Sequence, residues 1–299
     1  MAGPSVRRPG IGAVFSAMLA ALQWRLLLLW LLIMLIPATI VAVPFWRVLA
    51  GMLDHSVHAA AWAQHFNAMM FGDVGFALSE NVGWLGGTAI LGLAITLAVS
   101  PFLDGMIIGS GRAGRTLGFA GLLQSGLVEY GRMFRLMLWS LLPYLAVVGV
   151  AMLGSHLAED HADKAVLESQ ADLWSGAAHW ALLIAFVLSQ CIVESARAAF
   201  IADITLRSAT RALGRGVNQL LRRFIRTVFF YLVVSAVGLL IATAAGVGRI
   251  HVTAVGAAGF LVALLLSQLL VVAMGWMRMA RLLALATLGR SLRRSAELS

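Results

Sequence analysis

Long apolar runs, separated by short polar segments, extend along the whole sequence. Each run has about 18 residues or more, enough for a helix to cross a hydrocarbon core of about 30 Å. We place six spans, at 26–46, 84–108, 136–153, 177–199, 228–247 and 252–277. The pattern therefore predicts an all-α integral membrane protein with six transmembrane helices.

Composition agrees with this prediction. The 299 residues are 61% hydrophobic and only 12% charged, whereas soluble domains carry about 25% charged residues. A large soluble helical protein is thereby excluded. The expected organisation is a cytoplasmic N-terminal amphipathic segment at 1–25, a membrane domain at 26–280 and a basic cytoplasmic tail at 281–299.

Positive charge is concentrated on one side of the proposed spans. That side holds 19 arginines and five acids, whereas the other side holds three basic residues and eight acids. Because basic segments stay in the cytoplasm, both termini are predicted to be cytoplasmic, in a bacterial inner membrane. The net charge of +9 then reflects topology and affinity for anionic lipid headgroups, and nucleic-acid binding is not expected.

Two parts of the chain share one arrangement. The motif R-x-x-R at 132–135 recurs 91 residues later at 223–226, each time at the start of an outward span. Each motif follows a cytoplasmic segment with helical apolar periodicity, and an acid lies near the end of the span before that segment. We predict a parallel internal repeat with copies at 84–153 and 177–247, and a split third copy formed by the first and last spans.

The segment 109–114 reads G-S-G-R-A-G, which matches the glycine-rich loop of dinucleotide-binding proteins. That loop requires a preceding strand and a surrounding βαβ unit. Here a predicted transmembrane helix precedes it and an amphipathic helix follows it. The glycines are therefore interpreted as ending one helix and allowing a turn, and no nucleotide is expected to bind.

Two stretches carry a family resemblance. G-L-V-E-Y-G-R-M-F-R-L enters the third span, and E-S-A-R-A-A-F-I-A-D leaves the fourth. Over 101–243 the chain resembles a bacterial group of uncharacterised six-span membrane proteins. It is similar to the membrane domain that precedes some glycerophosphodiester phosphodiesterases. Since only about twenty residues follow the last span, the resemblance implies the membrane module without the phosphodiesterase activity.

Histidines provide the candidates for metal binding. All seven lie on the acidic, outer side of the spans or at outer span ends. Imidazole and carboxylate together suit Zn²⁺ or Cu²⁺, and the candidate ligands are His55, His58, His156 and His161. No H-E-x-x-H or Cys-His motif accompanies them, so we expect solvated loops, no tight metal site and no cofactor.

A polar cluster near the inner end of the fourth span consists of Gln190, Glu194 and Arg197. Their spacing places them on one helix face, where Glu194 and Arg197 can pair. Ionisable residues in a span are functional candidates. Glu194 is predicted to lie close to the cytoplasmic interface, however, so we interpret the group as an interfacial ion pair that anchors the helix.

No catalytic residues are assigned, because the chain has no mid-membrane carboxylate pair, Walker loop or Ser-His-Asp ordering. We predict a non-enzymatic module, a scaffold or permease-like subunit of an envelope or export system, with a protein partner in the membrane. The alternative is a carrier for a small molecule, lipid or metal ion. A carrier would need a polar cavity at mid-depth, and the sequence offers few residues to line one.

Overall fold

The computed structural model describes residues 10–53, 56, 68–162, 168–252 and 256–297. These residues are almost entirely helical, and no strand occurs among them. The helices are α1 Ile11–Ala20, α2 Trp24–Leu53, α3 Ala68–Glu80, α4 Val82–Ala113, α5 Phe119–Trp139, α6 Leu141–Ala162, α7 Glu168–Ala202, α8 Ala209–Arg222, α9 Phe224–His251 and α10 Gly256–Glu297.

Six helical segments are long and apolar enough to cross a membrane, which confirms the predicted fold class. The third segment, Phe119–His161, differs from its prediction. A break at Ser140 separates α5 from α6, and the R-x-x-R motif at 132–135 lies inside α5. Pro143 therefore falls in the first turn of α6, where a missing backbone N–H leaves no hydrogen bond unmade.

Close contacts divide the chain into two units. One comprises 1–22, 104–236 and 277–299, and the other comprises 23–103 and 237–276. In the second unit, Trp30 is buried and packs over Gly275, where a Cβ atom would come within 2.7 Å of the indole. The first unit contains every side chain that the candidate site uses.

The glycine-rich segment 109–114 forms no nucleotide loop. α4 continues through most of it, and Gly114 then adopts a φ of 63°, the left-handed conformation that ends helices. Gly105 lies one turn before the start of this segment and has a packing role, because a Cβ atom there would lie 2.9 Å from the carbonyl oxygen of Gly126 on α5. The absence of side chains thus brings α4 and α5 into backbone contact.

α8 begins at Ser208, whose hydroxyl accepts a hydrogen bond from the Arg211 amide, a standard N-cap. Its buried face is small and partly polar: Ala209, Ala212, Gly216, Gln219 and Leu220. The periodicity of 208–221 predicts an apolar face that comprises Leu213, Val217, Leu220 and Leu221; of these Leu220 is buried, whereas Val217 and Leu221 are exposed. Since Gly216 lies against the backbone of α7, α8 packs on protein through one face.

The sixth span continues as one helix beyond its predicted end at residue 277. The segment 281–299 was predicted to be a tail, but α10 extends through Glu297. Leu282, Leu285 and Leu288 are fully buried. The segment therefore contributes core to the first unit and brings its arginines toward α4, α7 and α8.

Candidate functional site

Acidic side chains behave differently on the two predicted sides of the membrane. The outer acids whose side chains are described are all exposed: Asp73, Glu80, Glu159, Asp160 and Asp172. On the predicted cytoplasmic side, the four acids whose side chains are described are only 2–5% exposed: Asp104, Glu129, Glu194 and Asp203. Each of these four contacts two arginines. We call them the paired acids.

Asp104, near the inner end of α4, joins three helices. Its Oδ2 lies 3.2 Å from Nε of Arg197 on α7 and 2.8 Å from Nη2 of Arg278 on α10. Arg197 also reaches Glu194 Oε1 at 3.2 Å. A buried carboxylate costs several kcal/mol of desolvation unless it is paired and hydrogen-bonded. These helices must therefore remain together for their charges to remain compensated.

Glu194 has a second cation, which comes from α10. Nη2 of Arg281 lies 3.7 Å from Glu194 Oε1, and its Nη1 donates to the Tyr231 hydroxyl and the Ser235 hydroxyl on α9, each at 3.3 Å. The Arg281 guanidinium also stands over the Tyr231 ring, 5.1 Å from its centroid, within the range of a cation–π contact. Arg281 thus links α7, α9 and α10.

Glu129 is the paired acid that lies on α5. Its Oε1 accepts from Arg112 Nη1 at 2.5 Å and from Arg132 at 3.0 Å. Arg112 lies at the end of α4, and its Nε donates to the carbonyl of Phe200 on α7 at 2.7 Å. One arginine therefore bridges α4, α5 and the end of α7.

Asp203 follows directly after α7. Its Oδ1 accepts from the Thr205 amide at 2.9 Å and the Thr205 hydroxyl at 2.6 Å. Arg215 of α8 and Arg293 of α10 contact the same carboxylate at 2.7 and 2.9 Å. The Thr205 hydroxyl bond is the largest influence that holds the Asp203 pKa below its ordinary value of 3.8, and Arg215 adds to it against the opposing effect of burial.

Asp203 should therefore stabilise the protein in a pH-dependent way. A carboxyl whose folded pKa is depressed contributes stability above its ordinary pKa and loses that contribution as pH falls through the folded value. We expect Asp203→Asn to lower the free energy of unfolding at neutral pH by about 1 kcal/mol, because both arginines are half exposed. The deficit should shrink below pH 3.8. Thermal unfolding in detergent across pH measures it, and a constant deficit would contradict the assignment.

The predicted polar cluster contains one of these contacts. Glu194 and Arg197 form their i, i+3 ion pair, and Gln190 lies partly buried one turn earlier on α7. The pair is buried in protein, and its place at the cytoplasmic interface stays a prediction. Sequence reasoning missed its other partners, Asp104 and Arg281. The available signal was the acid near the end of each inward span, which a locally spaced search does not connect to arginines on α10.

Within the described residues, the candidate metal ligands do not lie together in one site. His156 is exposed and lies 3.9 Å from Asp160, while His161 stacks on Trp174 with ring centroids 4.0 Å apart. His55 and His58 lie outside the described residues. Within the described part of the chain, no group of three His, Cys, Asp or Glu side chains is placed to hold a metal ion. The absence of a tight metal site stays a prediction.

The arginine contacts of the paired acids favour a structural role for these side chains. Asp104 and Glu194 together contact three arginines, of which they share only Arg197, while Glu129 and Asp203 contact two each, so the arginines outnumber the carboxylates. The arginines therefore hold these side chains in place, which suits a structural role. Comparison with protein-family models, curated proteins and solved structures finds no match, so the role of the site is argued from its geometry.

Proposed function

We propose that the chain is a non-enzymatic, multi-pass protein of the bacterial inner membrane that acts as a scaffold for a protein partner. One observation carries the proposal. The four paired acids use the charges of the cytoplasmic side to cross-link α4, α5, α7, α8 and α10 within one unit. A scaffold needs a surface of fixed shape, and this pattern of bonding supports one.

The distribution of ionisable groups supports a scaffold over a carrier. No Asp, Glu, Lys or Arg occurs at 26–46, 84–103, 136–158, 173–193, 227–248 or 250–277. Carriers bind ions and polar solutes near mid-membrane, commonly with ionisable or broken-helix groups. In this chain the charged groups lie at the ends of the spans, and the paired acids are already engaged by arginine.

The predicted cytoplasmic face also suits anionic lipid. Arg115, Arg135 and Arg207 are exposed. Juxtamembrane arginines are attracted to anionic headgroups by about 1 kcal/mol each. We propose that these arginines hold the face of the scaffold against the inner leaflet, with both termini in the cytoplasm.

The proposal includes a parallel internal repeat, whose cytoplasmic helices α5 and α8 correspond at an offset of 90 residues. The corresponding buried residues are Leu122 with Ala212, Gly126 with Gly216, and Glu129 with Gln219. Gly126 of α5 packs on Gly105 of α4, and Gly216 of α8 packs on Ala196 of α7. The R-x-x-R offset of 91 differs by one residue, because α5 continues past its arginine pair whereas α8 ends at Arg222.

The orientation can be tested with single cysteines. We expect Glu159→Cys and Arg211→Cys, each in a Cys191→Ala background, to react from opposite sides of the membrane, because both positions are exposed and separated by α7. In intact cells an impermeant maleimide should label position 159, and position 211 should react only after the membrane is opened. Labelling of both positions in intact cells would contradict the proposed topology.

The scaffold function can be tested by photocrosslinking in living cells. A benzoylphenylalanine at Arg115 or Arg211 should form one discrete protein adduct, because these exposed residues lie on the face that the paired acids hold in shape. The matched control is Leu240, an exposed apolar residue within α9, which should give lipid adducts. If no exposed cytoplasmic position gives a protein adduct, while purified protein in vesicles carries a solute, the chain is a carrier and the proposal is wrong.

A further inference from the structure

A cavity of about 440 Å³ lies in the first unit, at the cytoplasmic ends of three helices. Its walls come from the end of α7, from one face of α8 and from the last turns of α10. Volumes of about 300–1,000 Å³ are typical of sites for small ligands. Asp203, one of the paired acids, lies in the cavity wall, so the same ion pairs that join the helices also shape this cavity.

The lining of the cavity is strongly basic. Arg215, Arg222 and Arg293 line it together with the single acid Asp203, which gives a formal charge of +2. The Asn218 side chain adds amide donors at the same wall. An anion that carries two charges would neutralise the excess, and the planar guanidinium groups can each donate two parallel hydrogen bonds to a tetrahedral oxyanion.

Two of the arginines are held in place before any ligand arrives. Asp203 contacts Nη1 of Arg215 and Nη1 of Arg293, and both side chains remain about half exposed (48% and 49%). Their fixed position lowers the conformational entropy that binding would otherwise cost. Arg222 has no ion-pair partner among the residues that the structure describes, and its whole charge is available to a ligand.

We propose that this cavity binds a phosphate monoester through Arg215, Arg222 and Arg293, with Asp203 as the positioning residue. A phosphate monoester carries a charge of about −1.5 to −2 at neutral pH, which matches the formal +2 of the lining. A carboxylate offers one charge and a flat group, and satisfies fewer of these donors. This site does not depend on the scaffold function and would stand if that function were wrong.

Two sources could supply the phosphate. One is a soluble phosphorylated compound in the cytoplasm. The other is a lipid with a monoester headgroup, because exposed Ile204 and Leu221 near the cavity suit the inner leaflet. The shared chemistry is the dianionic phosphate, and two probes separate the sources.

The soluble source is tested with the full chain in neutral detergent. Inorganic phosphate should raise the melting temperature in a saturable way, whereas sodium chloride of equal ionic strength should not. Arg222→Gln should weaken this phosphate response about tenfold or more, as expected for the loss of one charge-assisted hydrogen bond. Arg211→Gln is the matched control, because it removes the same charge from an exposed position on α8 outside the cavity, and it should respond like the unsubstituted protein.

The lipid source is tested in mixed micelles. Phosphatidic acid, a monoester, should stabilise the protein more than the same mole fraction of phosphatidylglycerol, a diester, and Arg222→Gln should remove that difference. Stabilisation by inorganic phosphate alone assigns a soluble ligand, and stabilisation by phosphatidic acid alone assigns the lipid. The proposal is overturned if neither probe exceeds its control, or if Arg222→Gln and Arg211→Gln reduce the response equally.

Discussion

Arg197→Met should lower the free energy of unfolding by about 3 kcal/mol or more, the usual cost of leaving a buried charge without a partner. Arg197 is the only one of the described arginines that contacts two paired acids, Asp104 and Glu194. Methionine preserves most of the side-chain volume, so the loss reports charge rather than a cavity. Unfolding of the full chain in one detergent, by heat or by denaturant, measures the change.

Two comparisons control this prediction. Arg211→Met removes an exposed arginine and should alter stability by no more than about 0.5 kcal/mol. Glu194→Gln should be milder than Arg197→Met, because the amide keeps a hydrogen-bonding head and Arg197 keeps Asp104. Equal stability of Arg197→Met and Arg211→Met would refute the structural role. A Glu194→Gln protein that is fully stable but no longer forms the partner adduct would assign Glu194 a direct functional role instead.

Gly216→Ala and Gly105→Ala are each expected to destabilise the protein by about 1–3 kcal/mol, as overpacking of a close contact does. A Cβ atom at Gly216 would collide with the Ile192 carbonyl oxygen and lie 2.9 Å from the Ala196 amide nitrogen. At Gly105 it would lie 2.9 Å from the Gly126 carbonyl oxygen. Because backbone atoms cannot rotate aside, the helices themselves must separate, which unfolding measurements in detergent would register.

The same helices provide the controls. Gly214 on α8 and Gly131 on α5 have open space where a Cβ atom would stand, so alanine should be neutral or should stabilise by up to about 1 kcal/mol through helix propensity. If all four glycine variants lose stability equally, the close contacts are not the cause. A loss at Gly216 without one at Gly105 would contradict the proposed correspondence between the two repeat copies.

Local patterns in the sequence were sufficient for the six spans and for one ion pair. Apolar length alone locates the membrane helices, because hydrocarbon thickness fixes how many residues must be apolar. The Glu194 and Arg197 pair follows from helical spacing. The count of charges on each side treats every charge as exposed, and the orientation that it predicts stays a prediction.

The other contacts of the candidate site join distant parts of the chain, which local patterns do not relate. Asp104 and Arg278 are 174 residues apart, and no periodicity relates them. The buried face of α8 was missed for a physical reason, since a helix that approaches another backbone buries small residues such as Gly216 rather than large apolar ones. Depth counted along α7 could not predict that Glu194 is buried in protein, because such a count takes no account of the helices that cover it.

The central claim is that the paired acids hold the first unit in one shape. The most direct measurement is the distance between spin labels at Gly131→Cys and Gly214→Cys, two exposed positions with open space in that unit. The labels are placed in a Cys191→Ala background in lipid nanodiscs. The account predicts one narrow distance distribution that stays unchanged across the physiological pH range and broadens in Arg197→Met. Two interconverting distances in the otherwise unaltered protein, as an alternating carrier would give, would contradict it.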